Sequence, residues 1–324
     1  MAVYTQVPAE ALSAFLRRFD VGEMTSAKGI AEGVENSNYL VDTTCGRFIL
    51  TLYEKRVAAG DLPFFRALTD HLAAKGNPVP RMIADRHGEW LHELEGRPAC
   101  LIEFLPGVSV TRPTPPQARS AGAALGRMHV GLAAFTMQRP NSMGVDTWQP
   151  LFERCGRDLD TIAPGLHEWI ALALAGVLAA WPDDNGFFPG LPRGAIHADL
   201  FPDNVLMRGD AVTGLIDFYF ACTDIHAYDV AVMHTAWTFD ATGNPLDPAI
   251  GRAVLDGYRS AATLSGPEGA ALPVLARGAC LRFALTRAWD WLNTPADALV
   301  TRKDPLAYMR RYDWYAAHGP ETFA

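Results

Sequence analysis

Two aspartates and an asparagine in the middle of the chain have the types and spacing of a phosphoryl-transfer site. Asp199 and Asn204 lie five positions apart in a short segment that contains Pro202, so one side chain can face a substrate hydroxyl while the other turns toward a metal. Asp217 follows a little farther along the chain. Transfer of a γ-phosphoryl group needs a carboxylate that orients the attacking hydroxyl and oxygen ligands for Mg²⁺. The pattern therefore predicts Asp199 as the catalytic base and Asn204 and Asp217 as the Mg²⁺ ligands.

The residues around this set predict how it is held. Residues 205–207 are apolar and β-prone, a Gly-Asp turn follows, and residues 212–216 return as a second strand, so a hairpin delivers Asp217. His197, two residues before Asp199, is included in the catalytic set as a side chain that packs and hydrogen-bonds to hold the loop. The alternative is that these polar residues only form turns.

The N-terminal part predicts a small antiparallel sheet with one inserted helix. Residues 8–19 and 62–75 have helical periodicity, and alternation between residues 28 and 105 predicts five strands, with strand residues at Ile83 and at Trp90 and Leu91. The first hairpin has a small, polar, glycine-containing tip, which lets backbone N–H groups approach phosphates. An ordinary hairpin is the alternative, because the glycines do not match G-x-G-x-x-G. The candidate nucleotide contacts are Gly29, Gly33, Asn36, Ser37 and Asn38.

A break at Pro106 and Gly107 follows, and from Pro115 on the pattern becomes almost wholly helical. This change predicts two lobes, residues 1–105 and residues 106–324. His129 falls on an inward helical face and is interpreted as a packing residue. The apolar segment 169–181 is predicted to be a buried helix, because a membrane span needs about 20 residues. Helices are predicted over residues 117–132, 166–181, 228–239, 248–264 and 272–292, with a last one opened by Asp304 and Pro305.

Composition restricts the class of protein. The chain of 324 residues is 49% apolar and 20% charged, which is typical of a globular protein. A formal charge of −8 without a basic run argues against nucleic-acid binding, and no signal peptide or membrane segment is recognised. Five cysteines without C-x-x-C spacing favour the reducing cytoplasm over a disulfide framework or a zinc site.

The segment from His197 to Asn204, H-x-D-x-x-x-x-N, together with the aspartate after the hairpin, resembles the aminoglycoside and choline kinase superfamily. The resemblance implies a protein-kinase-like fold, with a small antiparallel β-sheet lobe, a larger helical lobe and ATP at their junction. Glu103 and Leu105 resemble the hinge whose backbone contacts adenine, with a plain linker as the alternative. Asp229 matches the family's aspartate that braces the catalytic loop, although a charge favourable to the helix dipole would explain it equally well.

At a finer level the chain resembles the bacterial homoserine kinases of the kinase-like fold. The resemblance runs from residue 1 to about residue 315. It implies ATP-dependent phosphorylation of the side-chain hydroxyl of L-homoserine on the route to threonine, in a monomer or weak homo-oligomer with small-molecule partners only. The segments that carry it are residues 29–39, 50–56, 197–201, 214–221 and 303–306.

Two positions depart from the wider kinase pattern. Where many kinases have a phosphate-binding lysine, the equivalent strand has Thr51, so Lys28 and Lys55 are the open alternatives. Where D-F-G would stand, Tyr219 replaces the glycine. Metal binding by Asp217 stays possible, but no activation switch of the protein-kinase type is expected.

Substrate recognition is predicted from charge. Homoserine is a zwitterion, so Arg282, Arg287 and Asp290 in an aromatic-rich helix are candidates for its carboxylate and ammonium groups, with an Arg-Asp surface pair as the alternative. Other candidate substrates are choline, 5-methylthioribose and aminoglycosides. A metallohydrolase or a non-catalytic ATP-binding protein is a more distant alternative. The cage proposed for choline would consist of Trp289, Trp291, Tyr308, Tyr312, Trp314 and Tyr315.

Overall fold

A computed structural model of the chain describes residues 4–30, 36–54, 57–182, 187–294 and 302–323. The chain divides into two compact units, the first ending at Pro106 and the second beginning at Gly107. The predicted nucleotide contact Gly33 and the alternative phosphate ligand Lys55 lie outside the described residues.

The first unit is built on a five-stranded antiparallel sheet, in agreement with the predicted fold class. Its strands stand in the order β1-β2-β3-β5-β4, and every neighbouring pair is antiparallel. The core forms where the apolar face of the first helix packs against strand residues such as Val41, Leu50 and Leu101. The elements are α1 (Ala9–Leu16), β1 (Met24–Ile30), β2 (Asn36–Thr43), β3 (Gly46–Tyr53), α2 (Leu62–Ala74), β4 (His92–Leu94) and β5 (Arg97–Glu103).

Two strand positions in this unit were predicted wrongly. No strand forms at Ile83. After Pro78 and Pro80 the chain makes only a single β-bridge, between Met82 and Ile102, and Ile83 lies beside it. The strand expected at Trp90 and Leu91 begins at His92. Whether such a short strand forms depends on the side chains of the neighbouring strand, and the local sequence does not show which strand that is.

The second unit is mostly helical and carries two short β-ladders. Strands β6 and β9 pair with each other, and β7 pairs with β8, in both cases antiparallel. The β6–β9 pair and the helices α4 and α5 were not predicted. The elements are α3 (Pro115–Gly131), α4 (Trp148–Cys155), α5 (Leu159–Ile162), α6 (Leu166–Leu178), β6 (Arg193–Ile196), β7 (Val205–Arg208), β8 (Ala211–Leu215), β9 (Cys222–Ile225), α7 (His226–Trp237), α8 (Pro248–Ala261), α9 (Gly266–Asn293) and α10 (Leu306–Phe323).

Helices α7 and α9 pack against each other in the core of this unit. Among the described helices only α9 is long and apolar enough to cross a membrane, and 72% of its apolar window is buried inside the protein, as in a core helix. Most of the segment predicted to be a buried helix lies in α6, which is buried on one face, while Leu172 is 69% exposed.

Helices α3 and α8 approach each other closely, which matters because both carry side chains that support the site. A Cβ atom at Gly122 would overlap the backbone of Val254, and one at Gly257 would overlap the carbonyl of Arg119. Glycine at these two positions therefore lets the helix backbones touch. The contact brings Tyr258 of α8 next to His129 of α3.

Candidate active site

The β7–β8 hairpin brings two of the predicted functional residues together. Val205 pairs with Leu215, and the Ile216 N–H donates to the Asn204 carbonyl at 3.0 Å. Because Asp217 directly follows Ile216, its exposed side chain lies beside the Asn204 segment. Asp217 lies just beyond β8, as the strand predicted over residues 212–216 implies, and its backbone is in the left-handed region with φ 64°. A non-glycine residue held in this conformation is typical of functional sites.

Asn204 is also tied to the predicted base. Its side-chain Nδ2 donates to the backbone carbonyl of Asp199 at 2.8 Å and lies 3.3 Å from the Asp199 carboxylate. Since the amide nitrogen faces Asp199, the amide oxygen of Asn204 is turned away from it and accepts no hydrogen bond from the residues that the structure describes. Asp199, Asn204 and Asp217 therefore belong to one connected group within the second unit.

The loop before Asp199 is held by Asp229, as one of the two sequence interpretations predicted. The two carboxylate oxygens of this fully buried side chain accept the N–H groups of His197 and Ala198, each at 2.8 Å. Ala198 has φ 63°, so the backbone is held in the left-handed region directly before the base. The predicted contact of Asp229 with the backbone N–H groups of this loop is confirmed.

A hydrogen-bonded chain supports Asp229 from behind. His129 donates from Nε2 to Asp229 at 3.0 Å, and its Nδ1 bonds with the Tyr258 hydroxyl at 2.9 Å. His129 is therefore a packing residue with both nitrogens satisfied, as predicted. Burial opposes ionisation of Asp229, but the His129 hydrogen bond and the surrounding charges outweigh it and lower the pKa of this carboxyl.

Replacing Asp229 by asparagine is expected to lower both stability and turnover. The amide has one acceptor oxygen for two backbone donors, and an unsatisfied buried group costs about 1–3 kcal/mol. We expect the free energy of unfolding, measured in urea, to fall by about this amount and kcat to fall at least about tenfold as the loop loosens. The control is Asp256→Asn, which removes only an exposed pair with Arg119. An Asp229→Asn variant with wild-type stability and turnover would contradict the bracing role.

His197 has the contacts of a structural residue. Its Nε2 donates to the Ile216 carbonyl at 3.0 Å, and its ring packs on Phe218 with the centroids 4.6 Å apart. Burial lowers the pKa of His197, which keeps the ring neutral. His197 thus fixes the spacing between the Asp199 loop and the Asp217 segment, and its contacts agree with the prediction that it holds the loop.

The Asp199 carboxylate lies in a largely enclosed, cationic environment. Its side chain is 19% exposed, and its Oδ1 lies 4.0 Å from the Arg282 guanidinium. Burial raises the pKa of Asp199 to about 6, while the positive charges of Arg282, Lys303 and Arg287 oppose the rise. A carboxyl with a pKa near the operating pH can accept a proton from a hydroxyl and release it afterwards.

The oxygen atoms of this group fit a small divalent cation. Mg²⁺ prefers oxygen ligands and is typically held by one or two protein groups plus substrate phosphates. The amide oxygen of Asn204 and the exposed carboxylate of Asp217 match that preference. Within the described ranges no group of three or more His, Cys, Asp or Glu side chains is placed to bind a metal, so the observations give no support to a metallohydrolase site.

The polar residues of the first hairpin are engaged in the sheet. Ser37 donates to Glu54 at 2.7 Å and accepts the backbone N–H of Tyr4 at 2.8 Å. Asn38 accepts a hydrogen bond from the buried Thr51 hydroxyl at 2.7 Å. Asn36 is buried beside them and Gly29 pairs with Tyr39 in the sheet, while Lys28 is exposed on β1.

The predicted adenine contacts differ in the availability of their backbone groups. The Glu103 N–H donates to the Arg81 carbonyl at 3.0 Å, and the Glu103 carboxylate pairs with the Arg81 side chain. Leu105 lies beyond the end of β5. Its backbone makes no hydrogen bond within the described part of the chain.

The predicted substrate residues lie along α9 and make different contacts. Arg287 donates to the Asp304 carbonyl at 3.2 Å, and its guanidinium stands 4.5 Å from the centre of the Tyr308 ring. Asp290 follows on the same helix and is partly buried. Arg282 instead donates to the Ala198 carbonyl at 2.6 Å. This contact was not predicted, since burial of an arginine is not visible in a local pattern.

The six aromatic residues suggested as a choline cage do not form one. Tyr308, Tyr312 and Tyr315 are buried, with at most 8% of their surface exposed. Tyr312 packs on Trp169, while Trp314 packs on Phe239. Trp289 and Trp291 lie under the guanidinium groups of Arg154 and Arg302. The aromatic density of this region serves packing.

Comparison with known proteins agrees with the geometry. Residues 26–264 match the phosphotransferase enzyme family. A homoserine kinase from Xanthobacter autotrophicus is 52% identical over 317 residues, covering 98% of this chain and 97% of the relative. A homoserine kinase from Acidiphilium cryptum is 51% identical over 319 residues, covering 98% of each chain.

Solved structures with low sequence identity share the fold. A microcompartment-associated aminopropanol kinase superposes with a TM-score of 0.71 at 20% identity, covering 98% of this chain and 99% of the other. An amicoumacin kinase gives 0.72 at 15% identity, with 95% and 93% covered. Choline kinase from Cryptosporidium parvum gives 0.64 at 14% identity, with 97% and 96% covered.

Proposed function

Because this chain belongs to the phosphotransferase enzyme family and, within it, to the homoserine kinases, we propose that it transfers the γ-phosphoryl group of ATP to the side-chain hydroxyl of L-homoserine. The product is O-phospho-L-homoserine, on the route to threonine. The near full-length identity to homoserine kinases is the observation that carries this conclusion. The connected group of Asp199, Asn204 and Asp217 supplies the side chains that the reaction requires.

Each member of the group has a proposed role. Asp199 orients the substrate hydroxyl and accepts its proton, and Asn204 holds Asp199 through the hydrogen bonds of its amide nitrogen. The Asn204 amide oxygen and the Asp217 carboxylate hold a divalent metal, which we propose to be Mg²⁺. Bound Mg²⁺ would neutralise charge on the phosphate oxygens. His197 takes part by fixing the loop and not by proton transfer.

The nucleotide contacts of the first unit stay proposals. We propose that the hairpin residues Gly29 and Gly33 with Asn36, Ser37 and Asn38 form and support a cover for the phosphates, because a glycine-containing turn allows close approach of backbone N–H groups. Leu105 is the better adenine contact of the hinge pair, since its backbone groups are available, whereas the Glu103 N–H is already used.

The charged groups of the substrate require opposite charges on the protein. We propose Arg287 for the homoserine carboxylate, because it is partly exposed on α9, the helix that also places Arg282 beside Asp199, and a guanidinium can hold a carboxylate through two donors. Asp290, three residues farther along α9, is proposed for the ammonium group. Arg282 has contacts that indicate a different role.

The proposal includes location and assembly. All five cysteines are free thiols and four of them are buried, which supports a location in the reducing cytoplasm. We propose a monomer or weak homo-oligomer that uses ATP and L-homoserine and binds neither nucleic acid nor membrane.

An ADP-release assay on the purified protein tests the substrate. L-Homoserine, choline, 5-methylthioribose and an aminoglycoside are compared at equal concentration with Mg·ATP. We expect L-homoserine to have the highest kcat/KM, since Arg287 and Asp290 complement a zwitterion. Preference for one of the other alcohols would contradict the substrate but not the kinase reaction. Release of phosphate from a phosphoester in the absence of any nucleotide would contradict both the substrate and the kinase reaction.

A further inference from the structure

The backbone directly before Asp199 is held from two sides by buried side chains of opposite charge. Asp229 accepts the N–H groups of His197 and Ala198, and Arg282 donates from Nη1 to the Ala198 carbonyl at 2.6 Å. The N–H and the C=O of Ala198 are thus both bound to ionised groups. Hydrogen bonds to charged groups are roughly twice as strong as those between neutral groups.

This double contact acts on a backbone conformation that needs support. Ala198 has φ 63°, and a non-glycine residue in the left-handed region costs on the order of 1–3 kcal/mol unless its surroundings impose the conformation. The carbonyl that Arg282 binds belongs to the peptide that leads into Asp199. A rotation of this peptide would redirect the Asp199 side chain.

The Arg282 guanidinium itself has little freedom to move. It stands over the rings of Phe283 and Phe220, at 4.2 and 5.5 Å from their centres. The Arg282 side chain is 4% exposed. Phe220 follows Asp217 by three residues, so the same guanidinium contacts both the Asp199 loop and the segment that carries Asp217.

We infer that Arg282 is a positioning residue: it fixes the peptide between Ala198 and Asp199, and so aims the Asp199 carboxylate, and it does not bind the carboxylate of the substrate. The inference deepens the proposed function and rests on the proposed role of Asp199 as base. It assigns the substrate carboxylate to Arg287 and separates two arginines that the sequence placed in one group.

The chain contains a closely matched control in Arg311. This residue is also buried and donates to two backbone carbonyls, those of Thr235 and Asp240, at 2.9 and 2.8 Å. Its guanidinium also stands over two aromatic rings, at 4.2 and 5.6 Å. Arg311 therefore reproduces the burial, stacking and carbonyl contacts of Arg282 but contacts neither Ala198 nor Asp199.

The test compares Arg282→Lys with Arg311→Lys. Lysine keeps the charge but loses the planar fork and the stacking. We expect Arg282→Lys to lower kcat by about 10- to 100-fold, since a small misplacement of a reacting group has effects of this size. The KM values for L-homoserine and ATP should stay within about threefold, because a positioning residue acts on the chemical step. Arg311→Lys should lose similar stability in thermal unfolding and keep its kcat.

Three results would overturn the inference. A raised KM for L-homoserine with an unchanged kcat would make Arg282 a substrate ligand. Equal losses of kcat in both variants would reduce its role to general packing. Unchanged kcat and KM in a folded Arg282→Lys variant would remove the positioning role.

A second variant decides the matter if Arg282→Lys does not fold. Phe220→Leu keeps Arg282 but removes one of the two rings that hold its guanidinium, so the hydrogen bond to Ala198 should loosen and kcat should fall severalfold with unchanged KM values. An unchanged kcat would overturn the inference. The wild-type protein is assayed first with L-homoserine. If it phosphorylates a different alcohol instead, the proposed substrate is rejected. The same comparison of variants with that alcohol then still tests the role of Arg282.

Discussion

Replacing Asp199 by asparagine should lower kcat by about 10² to 10⁴, the usual contribution of a positioned general base. Asparagine has the shape of aspartate and can keep the contact with Asn204 that now measures 3.3 Å, so the loop should stay in place. What is lost is the negative charge that orients the hydroxyl and accepts its proton. Steady-state kinetics together with nucleotide titration measure the change, and ATP affinity should be little altered.

Asp203 provides the control for Asp199→Asn. It lies four positions farther along the same loop, is exposed, and acts on Asp199 only through its charge. We expect Asp203→Asn to change kcat by no more than about twofold, as is usual for exposed charges in water. Near-normal turnover in Asp199→Asn would remove the role of Asp199 as base.

Replacing Asp217 by alanine should abolish productive binding of Mg·ATP. Asp217 carries the exposed carboxylate of the proposed metal site, and Asn204 alone offers a neutral ligand. Stabilisation of transition-state charge by a metal amounts to several kcal/mol, so kcat/KM for ATP should fall by at least about 10³. Calorimetric titration with a non-hydrolysable ATP analogue, with and without Mg²⁺, measures the metal-dependent part of the affinity.

Two further variants separate metal binding from backbone effects. Asp210→Ala changes an exposed residue at the turn of the same hairpin and should leave Mg²⁺-dependent binding unchanged. Asp217→Asn keeps a side chain that tolerates the left-handed conformation at φ 64° and removes only the charge. Unaltered nucleotide affinity in Asp217→Ala would show that the metal is held elsewhere.

The sequence predicted those parts of the site that depend on local pattern. The hairpin from Val205 to Leu215 could be recognised because apolar strands flank a Gly-Asp turn, and the structure has strands at these positions. Asp229 was named as a possible brace for the loop, but the local pattern could not choose between a brace and a helix charge. The choice depends on two hydrogen bonds to residues more than 30 positions earlier.

The parts that were missed depend on long-range packing. Arg282 contacts a carbonyl 84 positions away, and only the approach of α9 to the catalytic loop reveals that its charge is used internally. The aromatic residues of α10 were suggested as a cage because their number is visible in the sequence while their burial is not. The β6–β9 ladder was missed because each strand has only four residues, too few for a periodic signal.

Asp199, Asn204 and Asp217 are proposed to act together on one Mg²⁺-bound nucleotide beside the alcohol. A crystal structure of the protein with Mg²⁺, a non-hydrolysable ATP analogue and L-homoserine would test these three roles in one experiment. We expect an Asp199 oxygen at about 2.6–3.2 Å from the homoserine hydroxyl. We also expect oxygens of Asn204 and Asp217 at about 2.0–2.1 Å from Mg²⁺. A metal bound by other residues, or a hydroxyl out of reach of Asp199, would contradict the proposed roles.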